Sequence, residues 1–177
     1  MTYFETKRLR CLSITPEQYA DFEKGVEPNW DGFSNPYKHL IEEPTPLHFR
    51  ISRVKANPDF ADIAIILAIS KDSNKVVGSA GFHDFPNESG MIEIGYGIVP
   101  DFQNQGLGTE LLLGAWKMIC TRNDVKILRY TVSPDNGASL HIVKKLGFKE
   151  VGVQIDPDDG PELIYELGKE EFLSQNF

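Results

Sequence analysis

The stretch Met91-Ile-Glu-Ile-Gly-Tyr-Gly-Ile-Val-Pro-Asp-Phe-Gln-Asn-Gln-Gly-Leu-Gly108 passes from a strand-like run, closed by Pro100, into a Q-x-x-G-x-G turn. Beyond it Leu107, Leu111, Ala115, Met118 and Ile119 recur at helical spacing. A Gly-rich turn between a strand and a helix exposes backbone N–H donors at the positive end of the helix dipole, which is an anion site. Glycine also lets a phosphate approach the backbone where a Cβ would intrude. The turn therefore reads as a pyrophosphate holder. A P-loop would place Lys and Ser/Thr directly after the last glycine, and Thr109-Glu110 stand there instead. A dinucleotide fingerprint would place a third glycine where Leu111 stands.

Working outward, 177 residues suit one domain over 1–177 with a substantial core, and are short for two. Hydrophobic content of 41% and charged content of 25% are those of an ordinary soluble globular protein. The longest apolar run, Ile63 to Ile69, is far below a membrane span, and the first residues lack the apolar core of a signal peptide. The expectation is a cytoplasmic protein with no membrane partner. A formal charge of −8 argues against a nucleic-acid partner and is compatible with steering a cationic amine inward. Cys11 and Cys120 sit in apolar settings and read as buried free thiols. His39, His48, His83 and His141 show no metal-ligand spacing, so no metal is assigned.

Along the chain, Lys7 to Ile14 reads as a first strand. Thr15 and Pro16 then open a helix that Gly25 stops. Residues 28–46, rich in Pro, Gly and aromatics, read as a long loop or broken helix over an opening, with Trp30, Phe33 and Tyr37 as a substrate rim. A second helix is expected over Pro46 to Ala56. Asp62 to Ser70 and Val76 to His83 form a hairpin across 71–75, and 91–99 is the next strand. After the Gly106 helix come a strand over Lys126 to Val132, a short helix capped by Gly147, and strands over Phe148 to Ile155 and Glu162 to Leu167 across the acidic turn 156–160. The order suits an α/β (mixed α+β) fold, a mostly antiparallel mixed sheet of about seven strands with helices on both faces.

A second signal lies in Thr131-Val-Ser-Pro-Asp-Asn-Gly-Ala-Ser-Leu-His-Ile-Val-Lys-Lys-Leu-Gly-Phe148. A strand ends near Asn136, a helix follows with Ser139 three residues on, and Lys145-Leu-Gly-Phe148 closes it. Together with Q-x-x-G-x-G in the right order, this resembles the GNAT superfamily of N-acetyltransferases. The opening Glu5-Thr-Lys-Arg-Leu-Arg10 and the run Glu93-Ile-Gly-Tyr96 are similar to the branch that includes ribosomal-protein alanine N-acetyltransferases.

The resemblance implies acetyl-CoA as cosubstrate, held by Ile98, Val99, Gln103, Asn104, Gln105, Gly106, Leu107, Gly108 and Thr109, with Asn136 and Ser139 on the pantetheine and thioester. It implies transfer of the acetyl group to a primary amine, on a small molecule or a protein N-terminus, and leaves a homodimer open. Each residue also has an ordinary structural reading. Asn136 is a good N-cap, Ser139 an ordinary first-turn serine, Lys144 and Lys145 suit a helix C-terminus, and Phe148 suits the core. In 91–99 the apolar Ile92, Ile94, Tyr96 and Ile98 alternate with Glu93, Gly95 and Gly97, so a carboxylate stands beside two missing side chains, leaving room for a substrate. Glu93 is either a solvated edge charge or, as the resemblance implies, the general base that frees the amine of its proton, directly or through water. The Val99 N–H is the expected oxyanion donor, and Ser139 the expected proton donor to the leaving thiolate, with Tyr130 and Tyr165 as rivals. A non-catalytic acyl-CoA sensor, or transfer of a different acyl group, keeps the same motifs.

Overall fold

The computed structural model describes residues 2–41, 45–157 and 160–175. Eight strands are β1 (Tyr3–Glu5), β2 (Leu9–Ser13), β3 (Ile66–Ser70), β4 (Val76–Phe82), β5 (Met91–Ile98), β6 (Ile127–Val132), β7 (Lys149–Asp156) and β8 (Gly160–Gly168). The helices are α1 (Pro16–Glu23), α2 (Thr45–Ala56), α3 (Ala61–Ala64), α4 (Leu107–Ile119), α5 (Gly137–Lys145) and α6 (Lys169–Ser174). The strands form one mixed sheet in the order β1-β2-β3-β4-β5-β6-β8-β7. The mixed α/β expectation holds, with eight strands in place of about seven. The extra one, β1, is three residues long and folds back on β2, too short for alternation to reveal it. Part of the acidic turn expected at 156–160 lies outside the described residues.

Contacts group the chain into two compact units, Met1–His83 with Tyr96–Ala115, and Asp84–Gly95 with Trp116–Phe177. In the first, β1 to β4 pair antiparallel in succession. Helix α1 begins as its sequence dictates. The Thr15 side chain accepts from the Gln18 N–H while the Gln18 side chain accepts from the Thr15 N–H, with Pro16 in the first turn. The run 62–70, expected as strand throughout, starts as α3 and becomes extended only at Ile65. Asn57 causes this: its side chain accepts from the Asp59 N–H and launches a 3-10 turn at Pro58–Phe60 that runs on into α3. At Gly81 a Cβ would lie 2.1 Å from the Ala64 carbonyl oxygen, so strand and helix approach here only because the side chain is absent. Leu9, Cys11, Phe60, Ile66 and Phe82 are fully buried in this unit.

In the second unit the first part of β5 pairs parallel with β6, through Met91↔Ile127, Ile92↔Leu128 and Glu93↔Arg129. Strand β8 lies antiparallel between β6 and β7. The Asn87 side chain accepts from the N–H groups of Ser89 and Met91, both at 3.0 Å, and fixes the entry to β5. Ile92, Ile94, Trp116, Leu128, Tyr165 and Phe172 form the core, and Phe148 packs on Trp116 with ring centroids 5.8 Å apart. Phe172 belongs to α6, a helix whose six residues carry too little periodicity to be read from sequence. Both thiols are buried as expected, and burial pushes Cys11 up to about 12 and Cys120 to about 11, which keeps them protonated and unreactive.

Candidate active site

The turn between β5 and α4 has the geometry of an anion cradle. The N–H groups of Gln105 to Thr109 find no backbone carbonyl among the described residues. Asn104 and Gly106 are in the left-handed region, at φ 58° and 75°. A Cβ at Gly106 would meet only the Arg8 Nη2, at 3.6 Å, so this glycine faces open space. Gly108 is different: a Cβ there would lie 2.8 Å from the Tyr96 ring, which accounts for that glycine by packing. Gln103 and Gln105 brace the turn, donating from their amides to the carbonyls of Ile98 (2.9 Å) and Asp101 (3.1 Å). Leu107 is buried and anchors the first turn of α4.

Val99 departs from its expected role. Its N–H donates to the Val77 carbonyl at 3.0 Å, so strand pairing consumes the proposed oxyanion donor. Sequence reading also missed what holds the cradle from beneath. Glu110 accepts from the Thr6 hydroxyl, the Arg8 backbone N–H (2.6 Å each) and Arg8 Nε (2.7 Å), while Arg8 Nη1 donates to the Gln105 carbonyl (2.8 Å). Burial pushes the Glu110 carboxyl up. The Thr6 hydroxyl, the Arg8 N–H and the guanidinium outweigh it and hold the group below the ordinary carboxylate value. The partners stand about a hundred positions apart, so no local pattern could join them.

In the second unit, Glu93 is half-buried, and its Oε1 accepts from the Thr131 hydroxyl on β6 at 2.7 Å. That bond fixes the carboxylate's orientation. Asn136 caps α5, its side-chain oxygen accepting from the Ser139 N–H at 3.1 Å. Ser139 itself is 5% exposed. The rival donors are also buried: Tyr130, and Tyr165, whose hydroxyl donates to Glu150 at 3.1 Å. Burial and that bond raise the Tyr165 phenol above its ordinary value, so its proton is held harder.

Returning to the first unit, Trp30 stacks on Phe33 (5.3 Å) and leans on Phe22 (6.0 Å), and Tyr37 meets the Phe102 edge at 5.7 Å. Trp30, Phe33 and Tyr37 do not line the nearby cleft of about 560 Å³, whose walls are Phe22, Val26, Leu40, Ile41, Leu47 and Ile51, with Glu23, Glu27, His48 and Lys55 among the polar residues. His39, not anticipated, meets Ser79 on β4 at 2.8 Å through Nε2. Asn35 brackets its backbone, accepting from the His39 N–H and donating to its carbonyl. Lys38 and Leu40 on either side are left-handed, at φ 45° and 66°. Burial pushes the imidazole down to about 4, so it is neutral at neutral pH.

The profile of the acetyltransferase (GNAT) domain family matches residues 16–149, spanning both motifs. The chain belongs to this family. Membership makes it an acetyl-CoA-dependent N-acetyltransferase. An uncharacterized N-acetyltransferase of Bacillus subtilis, YjdG, is 28% identical over 84% of this chain and 90% of its own. The fold is similar to a ribosomal-protein-S5-alanine acetyltransferase from Vibrio fischeri, with a TM-score of 0.68 at 12% identity, covering 97% of this chain and 99% of that one. It is also similar to RimL, a ribosomal L7/L12 alpha-N-protein acetyltransferase solved with coenzyme A, with a TM-score of 0.66 at 17% identity, covering 94% and 98%.

Proposed function

We propose that this family member moves the acetyl group of acetyl-CoA onto a primary amine by direct attack, with Glu93 as general base. The observation that carries the donor half is the turn at Gly106, where the N–H groups of Gln105 to Thr109 have no backbone acceptor among the described residues and a Cβ on Gly106 would meet only Arg8 Nη2. A pyrophosphate fits that site in charge and in space. When bound, acetyl-CoA supplies an activated thioester, whose C–S bond breaks as the acetyl carbon joins nitrogen. At neutral pH an aliphatic amine is protonated and cannot attack until a base takes that proton. Glu93, oriented by Thr131, takes it. The departing thiolate then receives, relayed through the Ser139 hydroxyl, the second proton that the acylated nitrogen gives up; the Asn136 cap fixes the place of Ser139 at the start of α5. Tyr130 and Tyr165 are the rival donors, the Tyr165 hydroxyl donating to Glu150 in the structure.

The acceptor is a primary amine of a small molecule or a protein N-terminus. Both classes occur among proteins of similar fold, which include mutant forms of a spermidine/spermine N-acetyltransferase from Vibrio cholerae alongside the ribosomal L7/L12 alpha-N-protein acetyltransferase. Thiol release from acetyl-CoA, measured against polyamines and against peptides with free alanine or serine N-termini, tests the reading. Glu93→Gln is expected to lower turnover at least tenfold with acetyl-CoA affinity unchanged, and the deficit should narrow as pH rises and more amine is already neutral. Equal turnover and equal pH profiles in the two proteins would reduce Glu93 to a structural partner of Thr131.

A further inference from the structure

We infer that Arg8 is a direct ligand of the CoA pyrophosphate, an inference that rests on the donor-loop reading above. Two edges of its guanidinium are already committed, Nε to Glu110 Oε2 at 2.7 Å and Nη1 to the Gln105 carbonyl at 2.8 Å. These bonds fix the plane of the fork. The remaining nitrogen, Nη2, makes no hydrogen bond among the described residues and lies 3.6 Å from where a Cβ of Gly106 would stand. The same point is the open side of the cradle. A cation held beside Gly106, next to the backbone N–H groups of Gln105 to Thr109, completes the chemistry that a diphosphate requires. Because the fold orders this side chain before any ligand arrives, little rotamer freedom is left to lose on binding. Glu110 offsets part of the charge, and Nη2 keeps N–H bonds with no acceptor among the described residues.

A competing role is that Arg8 only clamps the loop through Glu110 and Gln105. The two separate by calorimetric titration of three probes, CoA, 3′-dephospho-CoA and pantetheine, on four proteins. Arg8→Gln is expected to weaken CoA and dephospho-CoA alike, about 10- to 100-fold, the range of a lost charge-assisted hydrogen bond, and to leave pantetheine unchanged. Arg8→Lys keeps the charge but not the fork and should weaken both nucleotides by a smaller factor; it carries the test if Arg8→Gln does not fold. Glu110→Gln keeps a side-chain oxygen that can accept from Arg8 Nε while Arg8 remains, and should weaken CoA by a smaller factor than Arg8→Gln does. If Glu110→Gln loses as much as Arg8→Gln, or pantetheine weakens too, Arg8 is only a clamp. If the Arg8 effect vanishes with dephospho-CoA, the contact is to the 3′-phosphate and the pyrophosphate assignment is overturned. Failure of the unaltered protein to bind CoA would instead sink the donor-loop reading.

Discussion

Gly106→Val is the sharpest test of the donor loop, and its size follows from two numbers in the structure. The residue sits at φ 75°, where an L side chain costs about 1–2 kcal/mol, more for a β-branched one. The nearest atom to the new Cβ is 3.6 Å away, an ordinary van der Waals contact, so the Cβ itself adds no clash. Without ligand the variant should melt only a few degrees lower. With acetyl-CoA at one hundred times its dissociation constant, the unaltered protein gains about 2.7 kcal/mol, or roughly 5–10 °C at this chain length. A valine in the cradle that weakens binding 100-fold leaves about 0.4 kcal/mol of that gain, a shift of roughly 1–2 °C. Gly25→Val is the matched control, at φ 72° with nothing within 4 Å of its Cβ. It should pay the same backbone cost and keep the whole ligand shift. Differential scanning fluorimetry across an acetyl-CoA titration reads both quantities. A Gly106→Val protein that shows the full shift would refute the placement of the pyrophosphate.

Asn136→Ala should lower stability by about 1 kcal/mol through the lost cap and weaken acetyl-CoA binding with it. Ser139→Ala should slow turnover with binding and melting temperature nearly intact; should Tyr130→Phe or Tyr165→Phe lose turnover while Ser139→Ala keeps it, the proton donor is that tyrosine. Trp30→Ala and Tyr37→Ala should alter the Michaelis constant of the acceptor more than that of acetyl-CoA, and equal effects would mark these rings as packing alone. His39, neutral in the fold with its value pushed down to about 4 from an ordinary 6.5, binds more protons when unfolded. Its contribution to stability is therefore present above about pH 6.5 and is lost as pH falls toward 4, by about 3 kcal/mol in all. Chemical denaturation at pH 7 and pH 4.5 should show a smaller acid loss in His39→Asn than in the unaltered protein, and equal losses would place the acid sensitivity elsewhere.

What could be read from sequence depended on how local the cause was. The caps at Thr15 and Asn136 are both written within a few residues of where they act, and each appears as expected. The Asp62–Ala64 segment misled because its residues suit strand and helix alike, and the deciding bond comes from Asn57 upstream. Gly108 was legible as a glycine but not for its reason, since Tyr96 on the preceding strand occupies the space. The Val99 N–H was spent on Val77, a partner only strand register could name. Arg8 with Glu110, and His39 with Ser79, are pairings across 102 and 40 positions that no periodicity encodes.

The Thr6–Arg8–Glu110 clamp also bears on when the donor loop comes into being. Its bonds close a loop of 104 residues, and bringing such distant segments together from a disordered chain costs about 4 kcal/mol in loop entropy. A handful of partly exposed polar bonds cannot drive that closure. Pairing of β2 with β3 and of β3 with β4 shortens that loop by tying the segment next to Arg8 to residues 76–80. A nascent chain that has not yet reached residue 110 therefore lacks the carboxylate that joins Thr6 and Arg8 to the start of α4.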